Sequence, residues 1–291
     1  MRQTITAPGR APAFAALIGL VALGACGGTR DGEAEVQRAL QDIDAIEEAG
    51  LADVMLTVGD PEEAVAFFAR EAAEDPDAIE PQRGLARSLI RAGRASEGVA
   101  AWSRVAAHPE ASWDDRVELA GAQIRTDDWA GARATLDSIP PTHETFERYR
   151  LEAMVADAAE DWGRADSFYE IAAGLTTTPA GVLNNWGFSK LTRGDYAAAE
   201  RLFVDALRQE PGLFTAKNNL VMARGAQRNY DLPVIPMTQE ERAQLLYTLA
   251  LTAIKQSDVT IGRGLLREAV DTHPRHFEEA ARALEALETE S

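Results

Sequence analysis

The feature that most constrains this chain is a pair of residues, small then large and apolar four positions on, that returns in a fixed register. The pairs are Ala64/Phe68, Gly98/Trp102, Ala132/Leu136, Ala165/Tyr169, Ala199/Phe203 and Gly262/Leu266. The small residues of the first five stand 34, 34, 33 and 34 apart, and the last follows after 63. A separation of four puts both members on one face of a helix. Four residues before each small residue stand Asp60, Arg94, Asp128, Asp161, Asp195 and Asp258, and an aspartate there can cap a helix start by accepting an unpaired backbone N–H. Thirteen and twelve residues ahead lie Leu51-Ala52, Leu85-Ala86, Leu119-Ala120, Trp186-Gly187 and Leu249-Ala250. Each unit therefore reads as two helices with a small residue on each, so that they can approach closely. In the fourth unit Glu152-Ala153 breaks the leucine pattern, which predicts a shifted first helix.

This register resembles the tetratricopeptide repeat, a helix–turn–helix unit of 34 residues that buries its apolar face only by stacking on its neighbours. The resemblance implies an all-α solenoid of antiparallel helix pairs. Five repeats are expected over residues 45–211, with the clearest at 183–211, and Pro76, Pro211 and Pro274 end second helices. Residues 212–238 read as a half repeat. Phe214 to Ala226 forms a first helix, followed by Leu232-Pro233-Val234-Ile235-Pro236-Met237, where two prolines forbid helix and favour an extended strap. Its apolar residues suit either packing on the chain's own solenoid or contact with a partner. Thr238 and Glu241 make a capping-box pattern opening a final repeat over 239–291, closed by an amphipathic helix from Arg275 with Phe277, Leu284 and Leu287.

The N-terminal residues read as an export signal. Arg2 and Arg10 precede an apolar stretch from Ala11 to Leu23, too short to span a bilayer, which ends Leu23-Gly24-Ala25-Cys26-Gly27. That ending resembles a bacterial lipobox, with residues 1–25 removed and Cys26, the chain's single cysteine, acylated. Residues 26–44 are expected to form a lipidated tether, rich in glycine, and the start of a helix. Gly27 after the cysteine implies sorting to the outer membrane, on its periplasmic face. The formal charge of −18 argues against a phosphate backbone as partner and for a body that projects away from anionic lipid.

No catalytic constellation is present in the sequence, and no cofactor or metal is expected. His273 and His276 flank Pro274 without a thiolate or carboxylate at ligand spacing, Asp114/Asp115 and Asp127/Asp128 fall at helix starts where capping explains them, and phosphate-binding loops are missing. The candidates for function are surfaces. First helices line the groove of such repeats, so Asn184 and Asn218, 34 residues apart, should stand side by side with Phe188 and Met222 one turn on. Primary amides carry both donors and acceptors and suit an extended peptide backbone. Alternatively the asparagines are structural, Asn185 and Asn219 among them.

Residues 184–203, 215–238 and 241–259, beginning at Asn184, Thr215 and Glu241, resemble TadD, a group of tetratricopeptide lipoproteins of the tight-adherence (Flp) pilus machinery. The resemblance covers the lipobox and most of 180–285, and residues 30–160 match only as generic repeats. It implies a non-catalytic, pilotin-like scaffold that binds proteins of that apparatus such as the secretin, attached to membrane through Cys26. Two other readings stand beside it: a repeat lipoprotein of another envelope assembly, for barrel insertion or polysaccharide export, and a periplasmic enzyme docked through its repeats.

Overall fold

The computed structural model describes residues 50–289, and the predicted signal segment, Cys26 and the tether lie outside them. Residues 50–57 are helical, and the boundary between two compact units, Met1–Val54 and Met55–Ser291, falls within that stretch. In the larger unit follow thirteen helices: α1 (Pro61–Glu74), α2 (Ile79–Arg91), α3 (Ala95–Ala106), α4 (Trp113–Arg125), α5 (Trp129–Asp137), α6 (Phe146–Ala158), α7 (Trp162–Gly174), α8 (Ala180–Thr192), α9 (Tyr196–Gln209), α10 (Phe214–Ala226), α11 (Gln239–Lys255), α12 (Val259–Thr272) and α13 (Glu278–Thr289). Among the described residues there is no strand. The helices pack in sequence as pairs, α2 with α3, α4 with α5, α6 with α7, α8 with α9 and α11 with α12. Helix α10 is followed by no second helix of its own repeat and packs between α9 and α11, and α13 packs on α12.

The turn that closes each first helix from α2 to α11 is one device used six times, at five helix pairs and after α10. Gly93, Asp127, Glu160, Gly194, Arg228 and Ser257 all have φ between 57° and 83°. The next residue donates its N–H to the carbonyl five positions back, as from Arg94 to Leu89 at 2.9 Å and from Asp161 to Ala156 at 2.9 Å. This is the Schellman closure of a helix, and at the five helix pairs the same residue stands directly before the helix that follows. Asp60, Asp128, Asp161 and Asp195 then accept from backbone N–H groups two or three residues on, at 2.9–3.4 Å. Of the paired acids read as caps, Asp128 is one, while Asp127 supplies the left-handed turn residue. Asp258 departs from the capping expectation. It precedes α12 but makes no cap bond, because its carboxylate is taken by Arg228 Nη1 at 2.9 Å and Tyr230 Oη at 2.5 Å.

Close approach follows from the small residues. Ala64, Ala132, Ala165 and Ala199 are fully buried, as are Ala86, Ala120, Ala153 and Ala250 on the first helices. A methyl on Gly187 would lie 2.6 Å from the Phe203 ring, and one on Gly262 would lie 2.5 Å from Ile254. The large partners Phe68, Trp102, Leu136, Tyr169, Phe203 and Leu266 are buried in the seams, each worth about 2 kcal/mol by the area it removes from water.

The predicted shift of the fourth repeat's first helix is not found. Ala153 holds the same buried place as Ala86 and Ala120, and α6 starts at the position that α2 and α4 take in their repeats. Glu152 is accommodated by charge. Arg148 Nε donates to Glu152 Oε1 at 3.1 Å, while Arg148 Nη1 donates to the carbonyls of Pro140 at 2.6 Å and His143 at 3.1 Å. The long α5–α6 loop thus needs a buried donor, and Glu152 balances its charge.

After α10 the Schellman turn still forms, with Asn229 N–H donating to Arg224 O at 3.0 Å. No helix follows, since Pro233 would block its first turn by lacking an N–H and crowding the carbonyl behind it. The strap instead packs on its own solenoid. Leu232 and Met237 join the cluster of Val221, Leu245 and Leu249, Ile235 meets the Phe203 cluster, and Val234 points to solvent. Thr238 and Glu241 then form the capping box of α11, and Glu241 also receives the buried Lys217 at 3.0 Å.

Two outcomes follow. Glu160 is exposed and bears its left-handed conformation without a side-chain hydrogen bond in the described residues, so Glu160→Gly should raise chemical-denaturation stability by about 0.5–1 kcal/mol. The second concerns Asp115, which joins α2 to the start of α4. Arg83 donates to its two oxygens at 2.8 and 2.6 Å, and Ser112 N–H donates to it at 2.7 Å. Burial opposes the charge, yet the bonds from Arg83 and Ser112 hold this carboxyl below its ordinary range. Its contribution is therefore present above the unfolded carboxylate pKa and is lost as pH falls through the lower folded value. Asp115→Asn should cost about 3 kcal/mol at pH 7, with the gap to wild type narrowing in acid.

Candidate functional site

A cleft with a volume of about 630 Å³ opens on the face built by the first helices α6, α8 and α10. That volume lies within the range of ligand-binding clefts. Helix α6 supplies Met154, Asp157 and Ala158, α8 supplies Asn184, Asn185, Phe188, Ser189 and Thr192, and α10 supplies Phe214, Thr215, Asn218 and Asn219. Trp129 and Trp162, the first residues of α5 and α7, also line it, as does Tyr169. Each tryptophan follows a capping aspartate and so projects from a fixed turn.

Asp157 is held by two neutral donors, Ser189 Oγ at 2.7 Å and Tyr169 Oη at 2.8 Å. Burial is the largest influence on this carboxyl and raises its pKa above the usual value, against the opposing effect of those two bonds. Burial and the neighbouring Asp157 charge likewise push the Tyr169 hydroxyl far above its ordinary pKa, so it stays a donor. Phe188 leaves 46% of its surface open. It is the large apolar side chain of α8 for which the fold provides no cover.

Three of the four residues expected in the groove, Asn184, Phe188 and Asn218, line this cleft, and Met222 is not among its lining residues. The amides pair in a register one residue from the expected one. Asn219 Nδ2 donates to Asn184 Oδ1 at 3.0 Å, tying α10 to α8. Asn218 Oδ1 accepts from Thr248 Oγ1 of α11 at 2.8 Å, and its Nδ2 faces the Met222 sulfur at 3.6 Å. Met222 is thus turned to Asn218. Asn185 makes no side-chain hydrogen bond to any described residue, which leaves its donors and acceptor for something else. Sequence reasoning missed Trp129, Met154, Asp157, Trp162 and Phe214. The usable signal was an aromatic residue directly after the capping aspartate, in Asp128-Trp129 and Asp161-Trp162.

The histidines lie elsewhere. His143 Nε2 is 2.8 Å from Asp114 Oδ1, and His273 Nδ1 lies 2.8 Å from the Arg275 carbonyl. Among the described residues no helix is long and apolar enough to cross a membrane.

Comparison with solved structures places the fold. The chain is similar to a tetratricopeptide repeat protein from Parabacteroides merdae, with a TM-score of 0.57 at 11% identity, over 83% of this chain and 97% of that one. It is similar to the C-terminal part of a TPR repeat-containing protein from Cytophaga hutchinsonii, with a TM-score of 0.53 at 14% identity, over 80% and 98% of the two chains. In the APC/C hetero-tetramer Cut9–Hcn1 the TM-score is 0.59 at 13% identity, over 81% of this chain, which spans about half (48%) of that one. No protein-family model and no curated protein matches the sequence. The fold is a tetratricopeptide-repeat solenoid.

The amide register makes a direct prediction. Asn219→Ala removes the bond to Asn184 and should cost about 0.5–1.5 kcal/mol in a denaturant melt, whereas Asn185→Ala, which breaks no internal bond, should stay within about 0.5 kcal/mol of wild type.

Proposed function

We propose that this protein is a non-catalytic scaffold that holds an extended segment of a partner protein in the cleft between α6, α8 and α10. The observation that carries this reading is the juxtaposition, in one cleft, of the Asn185 amide, which hydrogen-bonds to no described residue, and the exposed ring of Phe188. An amide pairs with peptide backbone and an aromatic surface receives an apolar side chain. The lipobox-like ending at Cys26 supports an acylated N-terminus. Acyl chains at about 0.8 kcal/mol per buried CH₂ would hold the solenoid at the outer membrane and raise its effective concentration beside partners there. The resemblance of residues 180–285 to the TadD group supports the tight-adherence pilus machinery as the setting and its secretin as the partner, with a pilotin-like or positioning role.

Two measurements test this. A photo-crosslinking amino acid at position 188 in cells that build the pilus should capture a secretin subunit or its immediate neighbour in the apparatus. Capture from position 234 on the strap with none from 188 would move the site off the cleft. Cys26→Ser should shift the protein from the membrane fraction to the soluble or unprocessed one; an unacylated wild-type N-terminus in intact mass would falsify the anchor.

A further inference from the structure

Asp157 is the only charged residue that lines the cleft, and no lysine or arginine of the described residues lies within ion-pair distance of it. Lys190 on the facing helix α8 and Arg193 just past its end both pair with a different acid. Lys190 Nζ lies 2.8 Å and Arg193 Nη2 2.5 Å from Asp166, which also accepts from Trp186 Nε1 at 2.6 Å. Two positive charges converge on Asp166, and among the described residues Asp157 is hydrogen-bonded by neutral hydroxyls alone, the Arg193 charge reaching it only from beyond ion-pair distance. Trp129, Trp162, Tyr169, Phe188 and Phe214 supply aromatic lining to the same cleft. Trp162 already carries one cation on its ring, the Arg193 guanidinium at 5.3 Å from the centroid.

We infer that the cleft receives a lysine or arginine side chain of the partner's extended segment, its cation against the Asp157 carboxylate and its stem between the aromatic walls. This inference rests on the scaffold reading above and specifies what that scaffold recognises. Aromatic faces attract cations through their quadrupole, most strongly where water is excluded, and a carboxylate without an ion partner gains from a cation that enters beside it. A neutral side chain would leave Asp157 as it is. An acidic one would be repelled by it and by a chain of net charge −18. Burial, which raises the Asp157 pKa, is the cost that an entering cation offsets.

The test uses the full chain labelled with 5-fluorotryptophan, whose five tryptophans give separate fluorine resonances assigned through Trp129→Phe and Trp162→Phe. The probes are acetylated, amidated tetrapeptides of alanine and leucine that carry lysine, norleucine or glutamate at the third position. The lysine peptide should shift the Trp129 and Trp162 resonances and bind about tenfold more tightly than its norleucine counterpart, with no shift from the glutamate peptide. Asp157→Asn should narrow the lysine preference to about twofold. If that variant melts early, the comparison of the three peptides on wild type decides alone, and Phe188→Ala, at an exposed position, should weaken the lysine peptide without loss of fold. Equal binding of lysine and norleucine peptides, or binding of neither, overturns the inference. Tetramethylammonium binding as tightly as the lysine peptide overturns it in favour of a small free cation. In any of these cases crosslinking from position 188 still decides whether the cleft holds a peptide, so the two claims fail separately.

Discussion

Everything in this molecule depends on how closely two helices can approach within a repeat. The separation is set at Gly98, Ala132, Ala165, Ala199 and Gly262 on the second helices and at their small counterparts on the first. Because no side chain stands between the backbones there, the large residue four positions on reaches the seam to the next unit. Trp102 and Phe203 are almost wholly enclosed for this reason. A pair alone would leave those rings in water, so the units are stable only as a stack.

The same logic accounts for the irregular places. The strap fills the space of a missing second helix, and it is secured at both ends. Asp258 gives up its cap to hold Arg228 and Tyr230, and Lys217 reaches Glu241 at the strap's far end. At the fourth repeat a buried Arg148–Glu152 pair replaces an apolar contact, since the preceding loop presents carbonyls that need a donor. In both cases electrostatics repairs what the repeat pattern omits. The cleft is the place where nothing is repaired. Asn185 and Phe188 are left open to it, and Asp157 forms no ion pair among the described residues.

The register of the helices was legible in the sequence because sterics allow only small residues at the closest contacts and only particular residues at the turns. Gly93 and Gly194 announced two of the six left-handed turns. Asp127, Glu160, Arg228 and Ser257 occupy the same conformation without the glycine that would have signalled it. The site was legible in part. Asn184, Phe188 and Asn218 follow from the spacing of the first helices. Which amide is occupied depends on a one-residue offset between α8 and α10 that no spacing rule contains. Asp157, Trp129 and Trp162 come from the helices of other repeats, and they meet only because the cleft opens between α6 and α8. The unshifted α6 shows the opposite limit: a charged residue in a leucine position was read as a displaced helix, when its partner Arg148 lay one turn away.

Gly187 is where the steric account and ordinary helix propensity disagree in sign. Alanine there, inside α8, would by propensity stabilise the helix by about 1 kcal/mol, yet its methyl would stand 2.6 Å from the Phe203 ring. Hydrogen exchange of Gly187→Ala beside wild type measures which effect governs. The account predicts faster exchange, by at least about tenfold, at the most protected amides of α8 and α9, with α11 and α12 unchanged because each unit leans chiefly on its neighbours. Slower exchange in α8, or acceleration spread evenly over the whole stack, would contradict it.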